Sequence, residues 1–284
     1  MEGYGVSSLR TYSNFILAAK YVFVIAICFL MILPFIWALV TSLKPLDAIM
    51  SYPPQWIPRA PTLSYFLNVV RSSMPRYFLN SILVSLGTIL VSLGAGSLAG
   101  YSLARFDFPG KGLLMVMVLM NMMVPGVVNL VPVYLIASSI GILDTYLILI
   151  LVYSVWQIPI VVWLMKDFFE TIPSALDKAA MIDGYSPLQA FIKIILPLSR
   201  PGLVAAAIMV FVYAWNEFII AQTLTSSDNM RTIPVGLHYY ITVFGVQWGE
   251  LCSAVLLALL PIVSIFICLQ RYLLHGMVAG ALKG

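Results

Sequence analysis

Six stretches of the chain, Tyr21–Leu43, Leu79–Ala104, Leu113–Ser138, Tyr146–Met165, Gly202–Gln222 and Leu251–Leu274, each run almost free of charge for the length of a bilayer crossing. About 20 apolar residues are enough for a helix to span the hydrocarbon core. Inside that core no water can satisfy backbone N–H and C=O groups, so a spanning stretch in this sequence is read as a helix. Hydrophobic residues make up 62% of the 284, and charged ones 9%, against about 25% charged in soluble domains. The expected fold class is therefore all-α, a polytopic membrane protein with about six transmembrane helices embedded in a lipid bilayer. The first run is too long for a signal-peptide core and lacks a small-residue cleavage site after it, so it counts as a span.

The net charge of +4 is spread between the apolar runs and forms no basic cluster, which excludes a nucleic-acid partner. Cys28, Cys252 and Cys268 lie in apolar stretches without CxxC spacing and read as packing residues. With the N-terminus placed in the cytoplasm, the inner segments carry Arg10, Lys20, Arg105, Lys111, Lys166, Lys178, Lys193, Arg200, Arg271 and Lys283. The outer ones carry Lys44, Arg59, Arg71, Arg76 and Arg231. Basic residues favour the cytoplasmic side, so both termini are expected there, in the cell's inner membrane. The organisation is then an N-terminal tail (1–20), a transmembrane region (21–275) and a C-terminal tail (276–284).

Three connections are long. The outer stretch Lys44–Tyr77 contains Pro45, Pro53, Pro54, Pro58, Pro61 and Pro75 and is expected to be extended rather than helical. A second outer stretch runs from Thr223 to Glu250, and an inner one occupies 166–201. The third span holds Asn121, Pro125, Gly126, Asn129 and Pro132, and irregular backbone at that depth is tolerated only against protein or a water-filled cavity. In the second span Gly96 and Gly100 form a small-xxx-small pair suited to close helix packing. No internal repeat marks the two similar halves of many secondary carriers.

The inner loop parses as helix, turn, helix between spans four and five. Ser174 is placed to cap a first helix, Gly184 to end it in a left-handed conformation, and Ser186 to cap a second that has Pro187 at its first position. Leu188, Phe191, Ile192, Ile195 and Leu196 recur at helical spacing and define an apolar face, with Gln189 and Lys193 pointing away. Ala179 and Ala180, beside Asp177, Lys178 and Asp183, are expected to form a slim charged outer surface. On the residues alone, the hairpin either enters a groove on another protein or rests at the membrane interface.

The stretch Lys178-Ala-Ala-Met-Ile-Asp-Gly184, followed by Ile195-Leu-Pro-Leu-Ser-Arg-Pro201, resembles the EAA loop of ATP-binding-cassette importer permeases, specifically the carbohydrate branch typified by maltose and trehalose systems. The likeness extends to Arg105-Phe-Asp-Phe-Pro-Gly-Lys111, Trp215-Asn-Glu-Phe218, Gln270-Arg271 and Gly280-Ala-Leu-Lys-Gly284. It implies a sugar importer subunit whose loop is a coupling helix seated on an ATP-hydrolysing partner. Asp177, Lys178, Ala179, Ala180, Asp183 and Gly184 are the implied coupling residues. Lys178 departs from the pattern, standing where the family has a glutamate, with Asp177 as the nearest acid. The resemblance also implies a second permease chain, two ATPase subunits that bind the ATP and Mg2+, an extracytoplasmic sugar-binding protein, and no cofactor in this chain. The alternative, a self-sufficient secondary carrier or channel, needs no ATPase.

Glu217 lies fifteen residues beyond Gly202, about 22 Å along a helix, in the outer part of the core. An ionisable group at membrane depth is a functional candidate by default, so Asn121, Asn129, Asn216 and Glu217 are pathway candidates. Trp215 is placed to stack on a sugar. The competing reading pairs Glu217 with a neighbouring helix or with interfacial water and makes Trp215 an aromatic-belt anchor. Ser227, Asp228 and Asn229, in a polar part of the second outer loop, either face the external binding protein or are simply solvated. The sequence has no GxxxxGK[ST] phosphate loop, no HExxH and no GxSxG, and His238 and His275 are isolated. It carries no catalytic or metal-binding constellation and is read as a transport subunit, not an enzyme.

Overall fold

The computed structural model describes the backbone of residues 4–281 and the side chains of residues 17–269. Arg10, Gln270, Arg271, His275 and Lys283, named above, lie outside the residues whose side chains are described. In chain order the helices are α1 (Tyr4–Leu43), α2 (Leu46–Ile49), α3 (Ser64–Arg71), α4 (Met74–Arg105), α5 (Lys111–Met123), α6 (Leu130–Ser139), α7 (Tyr146–Thr171), α8 (Ala175–Ile182), α9 (Pro187–Ala190), α10 (Leu196–Leu198), α11 (Arg200–Asn216), α12 (Ile219–Leu224), α13 (Ile233–His238) and α14 (Trp248–Ala281). Two two-residue strands, β1 (Ile241–Thr242) and β2 (Gly245–Val246), pair before α14.

Two compact units divide the chain, Met1–Val69 with Thr242–Leu257, and Val70–Ile241 with Ala258–Gly284. In the first, the most apolar part of α1 is left unburied by the rest of the chain, only Thr41 and Ser42 near its end being buried, so that surface is left for lipid or another subunit. Beyond it the proline-rich stretch has its long irregular part from Met50 to Leu63. Contrary to expectation it holds two helices, and α3 forms where the chain runs free of proline between Pro61 and Pro75. The ring of Tyr65 packs on the backbone of Gly249.

In the second unit α4 and α7 form the centre, and half of the apolar window of α7 is buried. Their approach is set by Gly100, where an added Cβ would come within 2.9 Å of the Val162 carbonyl oxygen and 3.0 Å of the Lys166 nitrogen. Small residues let two membrane helices close to backbone contact, as the Gly96–Gly100 spacing suggested. Thr145 caps α7 by accepting from the Ile148 N–H. Two apolar clusters sit along this pair. One gathers Leu149, Tyr153, Ala221, Leu224 and Val235; the other gathers Tyr101, Met165, Phe169, Phe191 and Ile195.

Among the described residues four helices are long and apolar enough to cross a membrane, Leu17–Leu43, Met74–Arg105, Tyr146–Thr171 and Trp248–Leu269, and the number is six when each of two bent pairs is counted as one span. The third expected span, Leu113–Ser138, is bent by 92° between Lys111–Met123 and Gly126–Ser139. Pro125 removes a donor at the bend, and Gly126 lies against the Trp156 ring, 3.1 Å from where its Cβ would stand. The fifth, Gly202–Gln222, is corrected: α11 stops at Asn216 and a separate short helix, α12, follows.

Candidate coupling hairpin and solute cavity

The loop 166–201 folds as the sequence patterning suggests, with three corrections. Ser174 stands at the start of α8 but makes no capping bond, and its backbone is helical already. At the other end Gly184 has φ +87°, the left-handed region that glycine enters freely, and the Tyr185 N–H returns to the Ala180 carbonyl at 3.0 Å. Ser186 and Gln189 form a reciprocal capping box at α9, with Pro187 at its first position. The second correction concerns the apolar face. A wide, π-type turn at Phe191–Ile195 shifts the register, so Ala190, Phe191, Ile195 and Ser199 are buried while Leu188 and Ile192 are exposed.

Asp177 and Ala180 do not lie on the outer surface. Asp177 is 5% exposed, and its carboxylate stands 2.8 Å from Arg105 Nε and accepts a 2.7 Å hydrogen bond from the Tyr101 hydroxyl. A buried carboxylate needs such partners. Arg105 Nη2 also donates to the Ile172 carbonyl at 2.9 Å, where α7 gives way to α8. The exposed face of the hairpin consists of Lys178, Ala179, Met181, Ile182, Asp183 and Gly184, with Ile182 86% exposed. Sequence reasoning missed Arg105 and Tyr101 as partners. The available signal was a basic residue at the inner end of a span, on the same membrane side as the loop's acids.

The pathway candidates separate into two groups. Asn121 and Asn129 line a cavity of about 270 Å³ beside the bend, together with Val133, Leu151, Val152, Val155 and Trp156. Among the described residues neither amide side chain nor the indole N–H of Trp156 has a hydrogen-bond partner. Trp156 was not singled out from the sequence, where it is one aromatic residue in an apolar run. Glu217 and Asn216 lie elsewhere, at the break between α11 and α12. Glu217 accepts from the Tyr153 hydroxyl at 2.8 Å and from the Ile220 and Ala221 N–H groups at 2.9 and 3.0 Å. The competing reading, pairing with a neighbouring helix, describes that geometry. Asn216 folds back to the Val212 carbonyl at 2.7 Å. Trp215 has no open ring face to offer a solute or a membrane interface. It is 2% exposed, stacks on Phe211, and donates to the Ala258 carbonyl at 3.2 Å.

The segment containing Ser227, Asp228 and Asn229 is tied down. Asn80, fully buried on α4, donates to the Asn229 and Arg231 carbonyls at 2.9 and 2.8 Å and accepts from the Tyr146 hydroxyl at 2.7 Å. Asp144 receives the Ser226 and Ser227 N–H groups at 2.9 and 3.0 Å. Burial works to raise the Asp144 carboxyl, but the Ser227 and Ser226 hydrogen bonds and Arg231 outweigh it and hold it below the usual range. Asp228 accepts from Tyr77 and Ser73, and those hydroxyls hold its carboxyl low. Asp228 and Asn229 remain exposed above this frame.

A mostly apolar cavity with two free amides beside a broken span, and a capped hairpin elsewhere in the same unit, define an integral membrane protein of the transport class. The particular family follows from comparison with known proteins. Residues 92–278 match the model of the binding-protein-dependent transport system inner membrane component, and the chain belongs to that family. It is 34% identical to the trehalose transport system permease protein SugB of Mycobacterium tuberculosis, over 89% of this chain and 93% of that relative. It is 33% identical to the trehalose/maltose transport system permease protein MalG of Thermococcus litoralis, over 88% and 91%. The fold superposes with a TM-score of 0.80 and 18% identity on a chain of the crystal structure of a bacterial ABC transporter involved in the import of the acidic polysaccharide alginate, covering 92% of this chain and 98% of that one. The protein is accordingly a transport subunit of the membrane and not a self-sufficient carrier.

Proposed function

We propose that this chain is one permease subunit of an ATP-driven importer for a sugar, working beside a second, different permease chain. Two ATPase subunits carry the ATP and Mg2+, and an extracytoplasmic sugar-binding protein delivers the solute. Both termini are then cytoplasmic, in line with the distribution of basic residues. The observation that carries the solute reading is the cavity beside the bent span. An aromatic ring and two unpartnered amides in an otherwise apolar wall are suited to a ring with an apolar face and hydroxyl edges. The names of the curated relatives, which include trehalose and sulfoquinovosyl glycerol transport permeases, support the same class.

The exposed hairpin face of Lys178, Ala179, Asp183 and Gly184 is the surface we assign to the ATPase. Asp177 and Ala180 support it from beneath. Asp228 and Asn229 are assigned to the binding protein, with Ser227 setting the loop under them. The test is sugar uptake by the transporter reconstituted in liposomes with Trp156→Ala or Asn129→Ala. Loss of uptake or an altered sugar preference is expected. Unchanged rate and preference in both variants would remove the cavity from the pathway.

A further inference from the structure

A force applied to a short hairpin reaches the spans only through joints that do not give way. The helix α8 has eight residues, too few to be stable alone, and only Ile172, Pro173 and Ser174 connect it to α7. Left to that connection it would swing on the end of α7. What prevents this is the buried pair Arg105–Asp177, whose side chains are 9% and 7% exposed. Its two ends belong to different elements, Asp177 to the first turn of α8 and Arg105 to the last turn of α4. The Arg105 side chain is used twice, for Asp177 and for the Ile172 carbonyl, so one planar group ties α4 to both sides of the α7–α8 connection.

The surroundings make this joint stiff. Tyr101, one turn before Arg105, bonds to Asp177 through its hydroxyl and lays its ring against Phe169 of α7 and Phe191 of the π turn, with centroids 5.8 and 4.7 Å away. Gly100 brings the α4 and α7 backbones into contact at the same level. The inner ends of α4 and α7, the helix α8 and the π turn are thereby joined around two charged side chains and three rings. By contrast, the bent stretch that carries the cavity asparagines, Asn121 on α5 and Asn129 in the 3-10 turn before α6, turns by 92° and takes no part in this cluster.

We infer that Arg105 and Asp177 are positioning residues of transport, the joint through which movement of the hairpin is passed to the α4–α7 pair, and that Asp177 does not meet the ATPase. This rests on the proposed seating of the hairpin's exposed face on the ATPase. A buried pair that served stability alone would be replaceable by apolar packing without functional loss. A joint in a two-state machine would not.

The experiment uses the complete transporter in liposomes with its binding protein, reading sugar moved per ATP hydrolysed, in wild type, Asp177→Asn, Arg105→Lys and Arg105→Met. Each is also made with Ala179→Cys, an exposed position from which crosslinking to the ATPase reports seating of the hairpin. The expected result is that Asp177→Asn and Arg105→Met keep the crosslink while sugar per ATP falls about tenfold, within the usual range for coupling between two sites. Arg105→Lys, which retains the charge, should keep more of the coupling than Arg105→Met. Sugar per ATP within twofold of wild type in both neutral variants overturns the inference. Loss of the crosslink in Asp177→Asn also overturns it, because the pair would then only shape the docking surface. Absence of the crosslink in otherwise wild-type protein fails the seating on the ATPase itself, and the joint falls with it.

Discussion

Tyr153 on α7 donates a 2.8 Å hydrogen bond to Glu217, at the point where α11 ends and the chain turns into α12. The same carboxylate takes two N–H groups of α12, so one side chain satisfies donors that a broken helix leaves open. Glu217 is therefore placed to hold the break, and its substitution should register in stability before solute choice. Each buried donor left without a partner costs about 1–3 kcal/mol. In a chain of this size 1 kcal/mol moves the melting temperature by about 2–4 °C. Glu217→Ala is expected to lower the melting temperature of the purified transporter by several degrees and leave its sugar preference unchanged. Glu217→Gln, which keeps an acceptor oxygen, should lose less. A changed preference at unchanged melting temperature would return Glu217 to the solute path.

The segment 226–231 depends on Asn80, which makes three hydrogen bonds from a fully buried position. At about 1 kcal/mol for each bond lost, Asn80→Ala should loosen this segment without unfolding α4. Hydrogen exchange of Asn229 to Arg231 is expected to rise about tenfold or more, with exchange in the core of α7 unchanged. Stimulation of ATP hydrolysis by the binding protein should weaken in parallel if Asp228 and Asn229 are its contacts. Exchange that stays at the wild-type level would mean that Asn80 does not hold the loop.

Two carboxylates of that same frame set its pH dependence. Asp144 and Asp228 are both held below the ordinary aspartate value of 3.8, and hydrogen bonds to the charged forms dominate the lowering. A lowered folded-state value means that the unfolded chain takes up protons first as pH falls. The stabilisation is thus fully present above the unfolded value and is lost as pH drops through the lower folded ones. Protection of Ser226 and Ser227 N–H groups, corrected for intrinsic exchange, should be flat from about pH 8 to about pH 5 and decline only below about pH 4. A decline near neutrality would show that some other group holds the segment.

The elements that local chemistry decides were legible in the sequence. The spans follow from apolar length, the irregular third span from Pro125 and Gly126, and the hairpin from Gly184, Ser186 and Pro187. Side-chain direction across the chain was not. Asp177 and Lys178 are adjacent, and nothing local says which turns inward; that is decided by Arg105, far away in sequence. An α-helical period puts Leu188 and Ile192 on one apolar face with Phe191 and Ile195, and the π turn at Phe191–Ile195 changes that period. Glu217 looked like a lone acid in a membrane span because the hydroxyl and N–H groups that satisfy it belong to Tyr153 and to a helix break the apolar pattern conceals. Trp156 gained its meaning only from the bend that brings Asn121 and Asn129 to it.

The contact between α4 and α7 gives the last prediction. At Gly100 an added methyl would face backbone on the partner helix, 2.9 Å from the Val162 carbonyl oxygen and 3.0 Å from the Lys166 nitrogen, and backbone cannot rotate aside. At Gly94, six residues earlier on the same helix, an added methyl meets nothing within 4 Å. Alanine is the better helix former by about 1 kcal/mol at either position. Steric cost therefore decides the sign at Gly100, where overpacking typically costs about 1–3 kcal/mol. Gly94→Ala is expected to leave the melting temperature of the chain in detergent unchanged or slightly raised, and Gly100→Ala to lower it. Because Gly100 lies one residue before Tyr101, separation of the helices there should also disturb the bond from Tyr101 to Asp177. Gly100→Ala should then reduce sugar moved per ATP as well as stability, whereas a loss of stability with full coupling would show that the helix contact and the Arg105–Asp177 pair act independently.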